Sequence, residues 1–240
     1  MPAAVGESDA ALMPIGLAGL LQTPIVRASL VGDVVERIRK SVVGGILKPG
    51  DPIIESQLAD RLGISRGTIR EAVRVLVGEG LLVKSHNATA RVAELTQERE
   101  WEVYSMRLVL EGFAARLLAQ RLQPEHLERL NTIWQHLLDA ANANDKASFS
   151  DWDFALHETI VQMAGNETLY QTWRRLSAWI SLTFAVQAYT PEVFRENAMD
   201  HRRIIDAIAS GDAAQAERVM KQDLQTNIEL GNYHGYPGIW

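Results

Sequence analysis

Residues 63–74 read GISRGTIREAVR, and this stretch decides the fold of the N-terminal third of the chain. Gly63 supplies a turn residue, and Ser65 is suited to cap a helix opening at Arg66. Arg66, Arg70 and Arg74 recur at four-residue spacing and so line one side of that helix. Ile69, Ala72, Val73 and Leu76 fall at i, i+3, i+4 and i+7 and make an apolar stripe on another side. A helix of this kind suits a major groove of DNA, where arginines reach phosphates or the O6/N7 edge of guanine. Taken alone, the segment also reads as an ordinary surface helix with solvated arginines.

The neighbours decide between the two. Upstream, Glu55–Leu62 is a short helix with Leu58 and Leu62 on one face and a small Ala59 that lets a crossing helix approach. Two short helices joined by a tight turn containing Gly form a helix-turn-helix. Downstream, residues 80–84 and 90–92 read as two short strands around a polar turn at 85–89, which is a wing. A preceding helix over about 30–43 carries Val31, Val34, Val35 and Ile38 at helical spacing, with Ser29 as its cap, and completes a three-helix core.

Several stretches, in register over residues 30–92, carry a family resemblance: Lys48-Pro49-Gly50-Asp51, Glu55, Leu58-Ala59, Leu62-Gly63-Ile64-Ser65-Arg66, Arg70-Glu71-Ala72, Leu76 and Glu79-Gly80-Leu81. This region resembles the winged-helix domain of GntR-type bacterial transcription regulators. The resemblance implies a homodimer on a pseudo-palindromic double-stranded operator, with the recognition helix in the major groove. By position it places Ser65, Arg66, Gly67, Thr68 and Arg70 at the DNA, together with Ser56. Position 67 is Gly where the family often has a larger residue. The wing reads Asn87-Ala88-Thr89 where the family usually has Asn-Arg-Gly, which leaves His86 and Asn87 as the polar candidates there. Arg74, a turn further along, belongs at the DNA backbone or in solvent.

The charge distribution agrees. The chain of 240 residues has 24 Lys+Arg, 30 Asp+Glu and a net charge of −6. Residues 27–92 nevertheless hold 11 basic and 7 acidic side chains, a net of +4, which leaves −10 for the rest. A local basic patch is what the polyanion responds to, and the acidic remainder argues against a second nucleic-acid surface. The absence of cysteine excludes disulfides and thiolate metal sites and fits a cytoplasmic protein. The first 26 residues contain no Lys or Arg, so no signal-peptide n-region is expected, and their apolar clusters are too interrupted to span a membrane.

After about Thr96 the pattern is helical throughout, and strand signals are lacking beyond Val92. Thr96 caps a helix with Val103, Met106, Leu108, Leu110, Phe113, Leu117 and Leu118. Pro124 opens a second, to about Ala143. Ser148 or Ser150 is expected to start a third through Met163, ended by Gly165-Asn166. A fourth runs from Glu167 to about Ala188, a fifth starts near Thr190-Pro191-Glu192, and Ser210-Gly211-Asp212 separates it from a last helix to about Leu230. The expected fold is mainly α: a winged helix-turn-helix followed by an antiparallel all-α bundle of six or seven helices. The expected organisation is a flexible arm (1–26), a DNA-binding domain (27–95), an effector-binding helical domain (96–230) and an irregular tail (231–240).

Asp153 and His157 are i, i+4 and project from one side of a helix. His201 and Asp223 lie at similar distances either side of the Ser210-Gly211-Asp212 turn, so in an antiparallel pair they face each other. Two imidazoles and two carboxylates converging inside a bundle make a divalent-metal candidate, although Asp-x3-His pairs are also common on solvated faces.

The second half, over about 97–230, resembles the FCD ligand-binding domain of the FadR subfamily. The stretches that carry it are Arg107, Leu110-Glu111, Ala114-Ala115-Arg116-Leu117, Asp153-Phe154-Ala155-Leu156-His157, Ala164-Gly165-Asn166, His201 through Ile204, Ala207-Ile208, Gly211-Asp212 and Ala216. Many members hold a metal with one Asp and three His, which implies Asp153, His157 and His201 as ligands. Asp223 stands where the fourth is normally His. A carboxylate there is shorter and harder than imidazole; it either ligates Zn, Mn or Ni, leaves the fourth position to water, or leaves the site empty. The resemblance also places Arg107 and Asn166 at a small carboxylate effector, while i, i+4 spacing lets Arg107 pair instead with Glu111. Trp101, Trp134, Trp152, Trp173 and Trp179 read as pocket walls or as core.

The expected function is therefore a ligand-responsive, DNA-binding repressor. One alternative is the same regulator without metal, taking a larger apolar effector such as an acyl thioester. Another is a metal-dependent hydrolase or lyase, against which stands the lack of HExxH, G-x-S-x-G and phosphate-loop motifs.

Overall fold

A computed structural model describes residues 28–43, 46–85, 88–186 and 190–230. The N-terminal arm, the C-terminal tail and the wing-tip residues His86 and Asn87 lie outside the described residues. Within them are nine helices and one three-stranded sheet.

The N-terminal unit opens with α1 (Ala28–Val43), whose Val34, Val35, Ile38 and Val42 are buried. Ser29 already lies inside this helix, so it is not the cap expected from the sequence. α2 (Glu55–Leu62) ends at Gly63 with φ +65°, and the Gly63 and Ile64 amides both return to the Ala59 carbonyl. That left-handed residue turns the chain into α3 (Arg66–Gly78), with Ser65 Oγ accepting from the Thr68 amide as its N-cap. Ile69, Ala72, Val73 and Leu76 are fully buried, as the spacing predicts. Removing a side chain such as Leu76 from this packed face costs roughly 2–5 kcal/mol.

The wing strands are β2 (Leu82–Val83) and β3 (Ala90–Val92), antiparallel, with Leu82 opposite Val92. A strand the sequence did not reveal, β1 (Pro52–Ile53), pairs with the other edge of β3, giving the order β1-β3-β2. It is only two residues long and opens on Pro, which edge strands tolerate. The turn before it closes through Gly50 at φ +83° and a bond from the Lys48 amide to Asp51 Oδ2.

The second unit is a bundle of six helices: α4 (Gln97–Gln120), α5 (Pro124–Ala143), α6 (Lys146–Met163), α7 (Glu167–Val186), α8 (Pro191–Ala209) and α9 (Ala213–Leu230). Thr96 caps α4 and Thr190 caps α8, with Pro191 in its first turn. α6 starts earlier than Ser148 or Ser150, because Asp145 accepts from the Ser148 amide and serves as its cap. α4 packs along α9 and against α6 and α7, and α5 packs on α6 and α8. Most apolar side chains of both units belong to one continuous core; a smaller cluster joins Leu137, Phe149, Phe194 and Ala198. No described helix is long and apolar enough to cross a membrane.

Candidate functional site

The arginine face of α3 is solvent-exposed at Arg66, Arg70 and Arg74. Ser65 and Thr68 sit at its N-terminus, where their hydroxyls are 2.9 Å apart. Gly67 is exposed beside them, and Ser56, in the first turn of α2, is half-buried. Free N–H groups and the helix dipole make such a terminus attractive to phosphate. Arg70 Nε donates to Glu55 Oε2 at 3.2 Å, and Lys84 of the wing holds the other oxygen at 3.0 Å. These contacts draw the Glu55 carboxyl below its ordinary pKa, Lys84 first. Arg74 pairs with Glu71 one turn back. His86, the wing candidate, lies outside the described residues.

Inside the bundle the structure concentrates ionisable groups. Among the described residues, the buried side chains of charged type are Arg107, Glu111, Asp153, His157, His201 and Asp223, and contacts link them into one cluster. α4 supplies Arg107 and Glu111, α6 supplies Asp153 and His157, α8 His201 and α9 Asp223. Asp153 Oδ1 lies 2.9 Å from His201 Nε2 and 3.3 Å from His157 Nε2, and the two Nε2 atoms are 3.1 Å apart. Asp223 stands back, with Oδ2 3.9 Å from His157 Nε2.

The outer ring nitrogens are also engaged. His201 Nδ1 donates to the Asn197 carbonyl at 2.7 Å, and His157 Nδ1 lies 2.6 Å from Glu111 Oε2. A carbonyl or a carboxylate there only accepts, so each Nδ1 carries the proton and each Nε2 can turn a lone pair inward. Outer partners of this kind fix metal-ligating histidines. Glu111 is itself held by Arg107, through Nε to Oε1 at 2.7 Å and Nη2 to Oε2 at 3.3 Å, and by Trp173 Nε1 to Oε1 at 2.7 Å.

Leaving the two histidines aside, the cluster holds more acidic than basic side chains. With both imidazoles neutral, one buried arginine faces three buried carboxylates, which leaves two negative charges away from water. Either a divalent cation or added protons must balance them. In the ion-free cluster His201 takes part of that role, and His157 is shifted the same way. Burial lowers the His201 pKa, but Asp153 and Asp223 outweigh it and push it up to about 10. His157 is raised as well, Glu111 outweighing burial. Burial also works against the Glu111 carboxylate, but Arg107 and His157 hold it at about 2. Asp153 is held below the usual range, its histidine partners outweighing burial. Asp223 is raised by burial. The donor set fits the ion by geometry too. Ligands about 2.0–2.2 Å from one zinc-like centre lie roughly 3 Å from each other, as the three inner atoms do.

Of the sequence candidates, Asp153, His157, His201 and Asp223 are thus brought together. Arg107 is fully buried against Glu111, the pairing its spacing allowed. Asn166 is engaged elsewhere: its Oδ1 accepts from the Leu169 amide at the start of α7. Trp134, Trp173 and Trp179 spend their N–H groups on Ala198, Glu111 and Glu79, and Trp152 stacks on His136. Asn197 is a member of the site that spacing did not single out, and spacing offered Glu111 only as a partner of Arg107, not of His157. A cavity of about 130 Å³ lined by Asp200, Arg203, Val219, Gln222, Asp223 and Thr226 reaches the cluster on its Asp223 side.

A winged helix-turn-helix joined to a helical bundle with a polar interior defines a DNA-binding regulator with a separate sensing half. Residues 30–92 match the family described as bacterial regulatory proteins, gntR family, and residues 102–226 match the FCD domain. The chain belongs to the gntR family of transcription regulators, in the FadR-like branch that carries an FCD domain, and is not an enzyme. It is 29% identical over 196 residues to a probable D-xylose utilization operon transcriptional repressor of Paenarthrobacter nicotinovorans, covering 82% of this chain and 86% of that protein. It is 28% identical over 180 residues to the gluconate operon transcriptional repressor of Bacillus licheniformis (75% and 73% covered). It is 27% identical over 230 residues to the Glc operon transcriptional activator of Escherichia coli K12 (84% and 91% covered). Among solved structures, E. coli McbR/YncC shares the fold with a TM-score of 0.75 at 22% identity, covering 84% of this chain and 96% of that one. A GntR regulator from Rhodococcus sp. RHA1 shares it at 0.73 and 21% (88% and 100% covered).

Proposed function

We propose that this protein is a cytoplasmic homodimeric repressor whose residues 27–95 bind operator DNA and whose residues 96–230 bind a small organic acid at a divalent metal ion. The observation that carries the reading is the convergence of Asp153 Oδ1, His157 Nε2 and His201 Nε2 to about 3 Å in a cluster whose three buried carboxylates face one buried arginine. Asp153, His157 and His201 would hold the ion. Asp223, whose Oδ2 lies 3.9 Å from His157 Nε2, would reach the ion through water or a small shift of α9. Once bound, the ion supplies a Lewis-acidic position for a carboxylate or hydroxy-acid. The cavity between α8 and α9 is the route of access, with Arg203 at its edge. Arg107, buried against Glu111, orients that carboxylate. The relatives that act on D-xylose and gluconate operons support an effector of small, polar, oxygen-rich chemistry.

At the DNA we assign Arg66, Gly67 and the Ser65/Thr68 cap to the groove and its phosphates, Arg70 to a base edge once Glu55 releases it, and Ser56 to the backbone. An exposed apolar row on α4, Met106, Val109 and Phe113, supports a dimer contact through the bundle. The test is metal analysis of purified protein followed by binding to a duplex selected from random sequence, with and without a panel of small carboxylates. Bound Zn or Mn, with an acid-dependent change in affinity that chelation abolishes, is the expected result. A metal-free protein that still responds to an apolar thioester would replace this reading with the metal-free one.

A further inference from the structure

Helix α7 touches both functional regions. Trp173, fully buried, donates Nε1–H to Glu111 Oε1 at 2.7 Å, and Glu111 Oε2 lies 2.6 Å from His157 Nδ1. Its ring packs beside Phe154, the residue next to Asp153, with centroids 5.3 Å apart. Six residues on, Trp179 leaves the same helix in a different direction and donates Nε1–H to the Glu79 carbonyl at 2.9 Å. Glu79 is the C-cap of the recognition helix α3.

The second contact is closely fitted. Gly80 has φ +79°, and a Cβ there would come within 3.0 Å of Trp179 Nε1 and 3.3 Å of its ring carbon Cζ2. Glycine is therefore required by the backbone and by the indole together. The Glu79 carboxylate takes both Arg39 Nη2 contacts, at 2.9 and 3.1 Å, which ties α1 to the same point. The Arg99 guanidinium lies over the Trp179 ring, 5.2 Å from its centre. The C-terminal end of α3 is thus clamped to the bundle, while its N-terminal end, with Arg66 and Arg70, is exposed.

We infer that Trp179 is a positioning residue for DNA recognition, and that α7 sets its position according to the state of the buried cluster through Trp173 and Glu111. The inference rests on the reading of that cluster as the effector site. A packed helix moves as a unit, and shifts of about 1–2 Å at helix contacts are the usual scale of such switches. α3 has 13 residues and is about 20 Å long, so a tilt of about 5° at its clamped end moves Arg66 by roughly 2 Å. That displacement is enough to break base-edge hydrogen bonds while leaving the general attraction to phosphates in place.

The full-length protein and its Trp179→Phe, Trp173→Phe and double variants are titrated with the selected duplex and with a random duplex. Zn²⁺ alone is titrated into each by calorimetry. Trp179→Phe is expected to weaken the selected duplex about tenfold or more, to change the random duplex less than about twofold, and to leave Zn²⁺ binding as in the unaltered protein. Trp173→Phe is expected to weaken the selected duplex as well, and the double variant to be no worse than Trp179→Phe, because both act along one path. Equal losses on both duplexes, or losses that multiply in the double variant, overturn the inference. If Trp179→Phe melts below the assay temperature, amide exchange at residues 75–80 is compared between Trp173→Phe and the unaltered protein. Faster exchange there supports the link, and unchanged exchange contradicts it. Failure of Zn²⁺ to bind the unaltered protein refutes the metal reading alone, since the duplex cycle and the exchange comparison need no ion.

Discussion

Arg74 with Glu71 on α3 and Arg107 with Glu111 on α4 are the same kind of pair, an arginine one turn from a glutamate, yet they differ in almost every physical consequence. The α3 pair is largely exposed, at 70% and 51% of the side chains, whereas the α4 pair is at 0% and 0%. Water and salt screen the first, so its arginine can leave the glutamate for a phosphate at little cost. The second has no solvent to fall back on, and each partner fixes the other and, through Glu111, the ring of His157. The DNA-facing half keeps its charges exchangeable; the bundle keeps its charges fixed. One arrangement suits a surface that meets a polyanion, the other a site that must hold ligand atoms in place.

The contrast is broken most severely by Glu111→Ala. It strands Arg107 in the core and should lower the unfolding free energy by about 3–5 kcal/mol, read from denaturant unfolding; a loss under about 1 kcal/mol would mean the pair is hydrated. The next effect is in pH. His201, pushed up to about 10, carries an extra proton in the ion-free protein near neutrality, His157 is shifted in the same direction, and an ion must displace whatever protons they hold. Metal affinity should therefore fall as pH falls, by about tenfold, or about 1.4 kcal/mol, per pH unit for each proton displaced. Calorimetry in buffers of differing ionisation enthalpy counts those protons; a count near zero contradicts the charge argument. Arg66→Ala should cost about 1–3 kcal/mol on a selected duplex, with no change in melting temperature. An equal cost on random DNA would show only a phosphate contact. Glu71→Gln, which breaks the exposed pair, should change stability by less than about 0.5 kcal/mol, and a larger change would undo the distinction drawn between the two pairs.

How far these features could be read from the sequence follows from how local their causes are. The Ser65 cap, the Gly63 turn and the buried stripe from Ile69 to Leu76 are set by neighbours within one or two turns, and the pattern showed them. Asp153 with His157 is likewise one turn of helix, and His201 with Asp223 follows from a single antiparallel turn. β1 was hidden because two residues beginning with Pro have no periodicity and gain their pairing from β3. The start of α6 was misplaced because Asp145, Ser148 and Ser150 are all able to cap, and only the backbone picks Asp145. Glu111 was legible as a partner of Arg107 but not as the support of His157, since that contact joins helices 46 residues apart in sequence. The Asn197 carbonyl carries no side-chain signature at all. Trp173 and Trp179 resemble any buried tryptophans until their N–H partners are located.

The most direct test is the affinity of the zinc-loaded protein for its selected duplex, with and without a saturating small carboxylate, in the unaltered chain and in Asp153→Ala. A bundle site that governs the recognition helix predicts a change of roughly tenfold in the unaltered protein and none in the variant. The same change in both would contradict it.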